Sequence, residues 1–157
     1  MVSTVVSLGS NLGDRSTNLL VGLQLLAAQF AVRAVSPVYE TAPVGVVDQP
    51  PFLNCVAILE TDDVAEVLEA AQRGEQTRGR LRRSRWGPRT LDVDVVSADG
   101  VVSADPRLTL PHPRAHDRAF VLVPWLDIDP DAVLPTYGPV RLLAERSDRS
   151  GLQRWRG

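Results

Sequence analysis

Apolar and polar positions alternate over residues 2–8 (VSTVVSL), a β-branched run that predicts a strand ending in the turn-rich GSNLGD. The spacing then lengthens. NLLVGLQLLAAQF, residues 18–30, repeats its apolar positions at helical intervals, with Asn11 or Asp14 as its cap. Residues 31–40 (AVRAVSPVYE) alternate again, and Pro37 assigns this second strand to an edge or a bulge. TAPVGVVDQPP, residues 41–51, is too rich in proline and glycine for regular structure and reads as a long loop. FLNCVAILE, residues 52–60, predicts a third strand. Thr61 or Asp62 then caps an amphipathic second helix over residues 63–80, and TLDVDVVSA, residues 90–98, predicts a fourth strand.

Beyond it, residues 99–106 predict a hairpin turn with a short fifth strand. Residues 108–118 (LTLPHPRAHDR) read as extended or loop-like because Pro111 and Pro113 disfavour helix. AFVLVPWLDIDP, residues 119–130, predicts a short helix stopped near Pro124 or Pro130, followed by a small strand and a closing helix. The order β-α-β-β-α-β with small C-terminal additions is an α+β, ferredoxin-like pattern. It implies a mostly antiparallel sheet with both main helices on one face, in a single domain over residues 1–157.

Composition narrows the function classes. The net charge of -2 and hydrophobic fraction of 44% describe an ordinary globular protein and give no pointer to nucleic acid or membrane. No apolar run approaches the roughly 20 residues of a membrane span, and the N-terminus has no leader pattern, so a cytoplasmic location is expected. Cys55 is the sole cysteine, excluding an intramolecular disulfide or a thiolate cluster, and its apolar surroundings suggest a small buried hydrophobe. All 17 basic residues are arginine. The missing lysine excludes a P-loop, a protein-kinase strand lysine and lysine Schiff-base chemistry. Seven of those arginines fall between residues 73 and 89, a stretch whose plain reading is a solvated loop or helix face.

That stretch runs into a strand with Asp92 and Asp94 two residues apart, hence on one face. Adjacent carboxylates repel unless a cation lies between them, and Mg²⁺ favours such oxygen ligands together with substrate phosphates. A bare D-x-D is common at solvated sheet edges, but the arginines beside it supply the second half of phosphoryl-transfer equipment. Trp86 could lie against a heterocycle or fold back over the sheet. Gln72 and Glu75, three apart on one helix face, are ordinary surface residues or partners for ribose hydroxyls. His112 and His116 lack a third ligand for zinc, so His112 reads better as a donor to phosphate. Phe52 and Asn54 share a strand face and suit a flat, hydrogen-bonding heterocycle, or else are a core ring and a turn amide.

Four blocks, SLGSNLGDR, SPVYETAPVG…DQPPFLN, RWGPRTLDVDV and LTLPHPRAHDRAFVLVPW, occur in order over nearly the whole chain. In these the sequence resembles the 6-hydroxymethyl-7,8-dihydropterin pyrophosphokinase family of folate biosynthesis. The resemblance implies transfer of the pyrophosphoryl group of ATP to the pterin's 6-hydroxymethyl group, releasing AMP. It assigns two Mg²⁺ ions to Asp92 and Asp94, and charge stabilisation to Arg82 and Arg89. It places Gln72, Glu75, Arg82, Trp86, Arg89, Val95, Arg107, Thr109, His112 and Arg118 at ATP, and Thr41, Val44, Phe52, Asn54 and Phe120 at the pterin, which is held between Phe52 and Phe120. The loops after the first strand, before the third and over Arg82–Arg89 would close over the nucleotide. Three departures stand out: Pro113 in place of a tyrosine, Phe52 in place of a tyrosine, and an arginine loop one residue shorter than in some relatives.

The partners implied are the two small-molecule substrates, with no nucleic acid and no membrane, and a monomer is expected. A rival reading, an RNA-binding module on a ferredoxin-like sheet, is disfavoured by the negative net charge and the lack of an aromatic RNA-binding strand. A metal-dependent nuclease and a D-x-D sugar transferase are weaker alternatives.

Overall fold

The computed structural model describes residues 1–41, 50–78 and 90–157. Strand β1 (Val2–Ser10) leads through a short loop to helix α1 (Arg15–Gln29). Asp14 is the cap, its carboxylate accepting from the Thr17 N–H at 3.2 Å. The predicted second strand is two, β2 (Ala31–Val35) and β3 (Tyr39–Thr41), broken around Pro37. Both pair antiparallel with strand β4 (Phe52–Thr61), β2 along its C-terminal half and β3 along its start, so together they fill one strand position.

Helix α2 (Val64–Thr77) is capped by Asp63, not by Thr61 or Asp62. Thr61 instead braces the turn, its hydroxyl accepting from the Asp63 N–H at 3.1 Å and donating to the Asp63 carbonyl at 2.9 Å. Strand β5 (Asp92–Ala98) closes the core on the free side of β1, with a register shift at Val5/Val6. The sheet order β10-β3-β4-β1-β5, with β2 also on β4, is the ferredoxin-like arrangement extended at one edge by β10 (Gln153–Arg154).

Alternation along the central strands creates two cores. Val6, Leu8, Leu53, Cys55, Ala57, Leu59, Val93 and Val95 pack with Leu19, Leu26, Val67 and Ala71, so α1 and α2 share one face as expected. Gly22 lets α1 sit close to the sheet, since a Cβ there would lie 2.9 Å from Leu8 Cδ2. Burial pushes the Cys55 thiol up to about 12, consistent with a packing role.

The C-terminal additions form a second layer rather than a fringe. After the hairpin β6 (Ser103–Asp105) and β7 (Leu108–Leu110), a 3₁₀ turn at Ala115–Asp117 leads into helix α3 (Ala119–Ile128). The hairpin β8 (Val133–Leu134) and β9 (Gly138–Pro139) then precedes helix α4 (Val140–Arg146). Val5, Val56, Ile58 and Val96 meet Val121, Leu122, Trp125, Val140 and Ala144 on this opposite face. Pro124 does not stop α3, which runs through it. Proline costs the helix one backbone donor, and burial of Val121, Leu122, Pro124 and Trp125 outweighs that loss.

Candidate functional site

The uncovered end of that second face gathers the chemistry. In the antiparallel register Gly9 is paired with Asn54 on one side and Asp92 on the other, while Ser7 faces Asp94 and Thr41 faces Phe52. Residues two apart on a strand share a face. Thr41, Phe52, Asn54, Asp92 and Asp94 are therefore brought onto one surface, with β1 as the floor between the amide and the carboxylates. The floor must be glycine at its centre: a Cβ on Gly9 would lie 2.6 Å from Asn54 Oδ1 and 3.6 Å from Phe52 Cδ1.

Asn54 is 4% exposed, yet its Nδ2 has no hydrogen-bond partner among the described residues. A buried amide donor left unsatisfied costs on the order of 1–3 kcal/mol, so such groups call for a ligand or another explanation. Phe52 stands beside it, half-buried, and Phe120 comes from α3, which packs against β3 and β4 on this face. Tyr39, next in the same cross-strand row, donates its hydroxyl to Asp127 of α3 and ties that helix to the sheet.

Opposite the carboxylates sits a donor group on the segment joining β7 to α3. The His112 N–H donates to the Val96 carbonyl at 2.8 Å, anchoring this segment along the outer edge of β5. His112 Nδ1 accepts the Arg114 N–H at 3.2 Å, which leaves the ring proton on Nε2 as a donor. Burial, with the Arg118 and Arg114 charges, holds the His112 pKa down to about 4, against a pull upward from Asp92. Burial also lowers the pKa of Arg118, while Asp94 and Asp92 oppose that shift. The Arg118 Nε has no hydrogen-bond partner among the described residues, and its guanidinium lies 5.4 Å from the Phe120 ring centroid.

His112 should therefore titrate at about 4 in the metal-free protein, well below an unperturbed histidine near 6.5. The unfolded chain takes up that proton near 6.5 and the native chain only near 4, so native stability declines as pH falls through this window and is untouched above it. An NMR titration with His112→Gln as the assignment control measures this directly. A His112 midpoint above 6 would contradict the burial argument.

Other expected residues fall elsewhere. Val95 is buried on the α1/α2 face, and Gln72 and Glu75 belong to α2, which packs there. Glu75 is not a surface residue: it is 5% exposed, and its Oε2 accepts the Val93 N–H at 3.1 Å, pinning α2 to β5. Arg107 and Thr109 are exposed on the β6–β7 hairpin, Arg107 paired with Asp105 at 3.4 Å. Strand β5 is the sheet's outer strand and β7 lies beside it. A nucleotide touching Asp92 and also Gln72 or Glu75 must pass around that edge. Val44, Arg82, Trp86 and Arg89 lie outside the described residues.

Histidine-based metal binding finds no support in the described residues. His116 stacks on Tyr137, ring centroids 4.2 Å apart, and no group of three His, Cys, Asp or Glu side chains is poised to hold an ion among the described residues. The Asp92–Asp94 pair still fits a hard divalent cation, because its oxygens suit Mg²⁺ when phosphate and water complete the shell. Two features escaped sequence reasoning. In the sequence Gly9 belongs to a turn and Arg114 to a loop, although the proline-flanked PHPR run marks a fixed backbone there.

Comparisons with known proteins agree with this arrangement. The profile of the 7,8-dihydro-6-hydroxymethylpterin-pyrophosphokinase (HPPK) family matches residues 5–130. A relative in Mycobacterium leprae, named 2-amino-4-hydroxy-6-hydroxymethyldihydropteridine pyrophosphokinase, is 47% identical over 98% of this chain and 88% of its own. One of the same name in Methylorubrum extorquens is 40% identical over 98% of this chain and 99% of its own. The crystal structure of a Plasmodium falciparum HPPK-DHPS triple mutant with pteroate superposes with a TM-score of 0.74 at 12% identity, which shows the shared fold. That match covers 98% of this chain but only 46% of the other, so the chain spans under half of that larger protein. On the profile match and the two relatives, the chain belongs to the 7,8-dihydro-6-hydroxymethylpterin-pyrophosphokinase family.

Proposed function

We propose that this chain transfers the pyrophosphoryl group of ATP to the 6-hydroxymethyl oxygen of 6-hydroxymethyl-7,8-dihydropterin, releasing AMP. The observation that carries the reading is the orphaned Asn54 amide, separated from the Asp92–Asp94 pair by a single glycine of β1. A heterocycle hydrogen-bonded there extends its substituent across the floor toward the carboxylates.

Asn54 orients the ring, and Phe52 and Phe120 hold its two faces, with Thr41 and Val44 completing the pocket. Asp92 and Asp94 would hold Mg²⁺, which when bound would supply positive charge to screen the phosphates. His112 donates through Nε2 and Arg118 through its guanidinium to phosphate oxygens, a neutral donor beside a cationic one. Arg82 and Arg89 would add charge stabilisation at the transferring group, and Arg107, Thr109, Trp86 and Gln72 would receive the rest of the nucleotide, whereas Val95 and Glu75, buried on the α1/α2 side, brace β5 rather than touch it. Enclosure of this surface excludes water and protects ATP from hydrolysis.

Removing the metal tests the role of the carboxylates. Chelation is expected to abolish turnover, and added Mg²⁺ to restore it, without change in the circular dichroism of the protein. Full activity in excess chelator would refute the assignment.

A further inference from the structure

The β1–α1 loop, residues 11–14, is held by a buried polar network that the reaction itself does not use. Arg78, at the C-terminal end of α2, donates to Asn18 Oδ1 from Nε at 2.9 Å and from Nη2 at 2.7 Å. The same amide donates through Nδ2 to Ser10 Oγ at 3.1 Å and to the Leu12 carbonyl at 2.9 Å. Asn18 is 1% exposed in the first turn of α1, where asparagine is a weaker helix former than alanine or leucine. Its side chain thus serves contacts outside the helix, and Arg78 makes them charge-assisted.

We propose that Arg78 and Asn18 form a positioning clasp that sets the β1–α1 loop, and with it the floor at Gly9, for pterin binding; this rests on the pyrophosphokinase reading. Ser10, the clasp's anchor on β1, directly follows Gly9, which is paired with both Asn54 and Asp92. The far side of the loop is tied as well. Asn11 Nδ2 donates to the Pro50 carbonyl at 3.0 Å, and Arg15 donates to the Pro51 carbonyl at 3.0 Å and to Glu40 at 2.7 Å. The loop therefore bridges the end of α2 to the start of β4. Neither Arg78 nor Asn18 touches substrate in this account, so both are positioning residues.

Steady-state kinetics of Arg78→Ala, Asn18→Ala and the double variant test the clasp, with thermal midpoints measured alongside. Each single variant should raise KM for the pterin about tenfold while kcat stays within about threefold, the scale of coupling between contacting residues. The double variant should be no worse than either single one. Arg78→Lys, which can still donate to Asn18 Oδ1, should lie between wild type and Arg78→Ala. Additive losses, or a lowered midpoint with unchanged KM, would overturn the proposal. Hydrogen exchange over residues 10–14 reads the clasp without turnover: it should accelerate in Arg78→Ala, and unchanged protection overturns the clasp. Wild-type protein that shows no pterin-dependent turnover would instead remove the functional reading.

Discussion

Asp92→Ala and Asp94→Ala are each expected to lower kcat by on the order of 10³-fold or more, because each removes a ligand for the cation and leaves phosphate charge unscreened. The fold should survive both. The two side chains lie on an edge strand, are only half-buried and belong to neither hydrophobic core, so neither substitution opens a cavity in one. A second readout separates metal loss from general damage: Mg²⁺ with a nucleotide should raise the midpoint of the wild type and fail to raise that of either variant. Near-wild-type turnover in either one would refute the metal role.

Asn54→Ala makes the second large prediction, and its character is unusual. For a satisfied buried amide, truncation lowers both stability and function. Here Nδ2 is buried without a partner, so alanine removes an uncompensated donor and the thermal midpoint should stay level or increase. Turnover should move the other way. The pterin loses the hydrogen bond that orients it, and kcat/KM for the pterin should fall on the order of 10- to 100-fold, with KM for ATP little changed. Gly9→Ala provides an independent check, since its new methyl would lie 2.6 Å from Asn54 Oδ1 and displace the amide that remains. Matching pterin-specific losses in the two variants would locate the pocket; a stability loss in Asn54→Ala with unaltered kinetics would make the residue an ordinary part of the core.

Much of this was legible in the chain. Period-two alternation set Asp92 and Asp94 on one face, and β5 keeps them there because Val93 and Val95 face the α1/α2 core. The two long helices and the strand order followed from the switch between periods two and 3.6, but Pro37, consistent with an edge or bulge in one strand, instead splits it into β2 and β3. What sequence could not reach depends on partners distant along the chain. Glu75 resembles a solvated helix residue until β5 supplies the Val93 N–H, 18 positions away. The two-residue strand β10 is too short to carry a period, and exists because β3 offers it an edge. Pro124 reads as a helix stop locally, whereas its burial within α3 is a tertiary fact. The seating of Asn54 depends on the missing side chain of Gly9, whose Cβ would crowd its Oδ1 and which only the strand register brings beside it.

The most direct test of the central claim is identification of both products by ³¹P NMR after incubating the protein with ATP, Mg²⁺ and 6-hydroxymethyl-7,8-dihydropterin. Attack at the β-phosphorus predicts AMP and a pterin diphosphate in equal amounts, with no AMP when the pterin is omitted. ADP with a pterin monophosphate, or no reaction from folded protein, would contradict it.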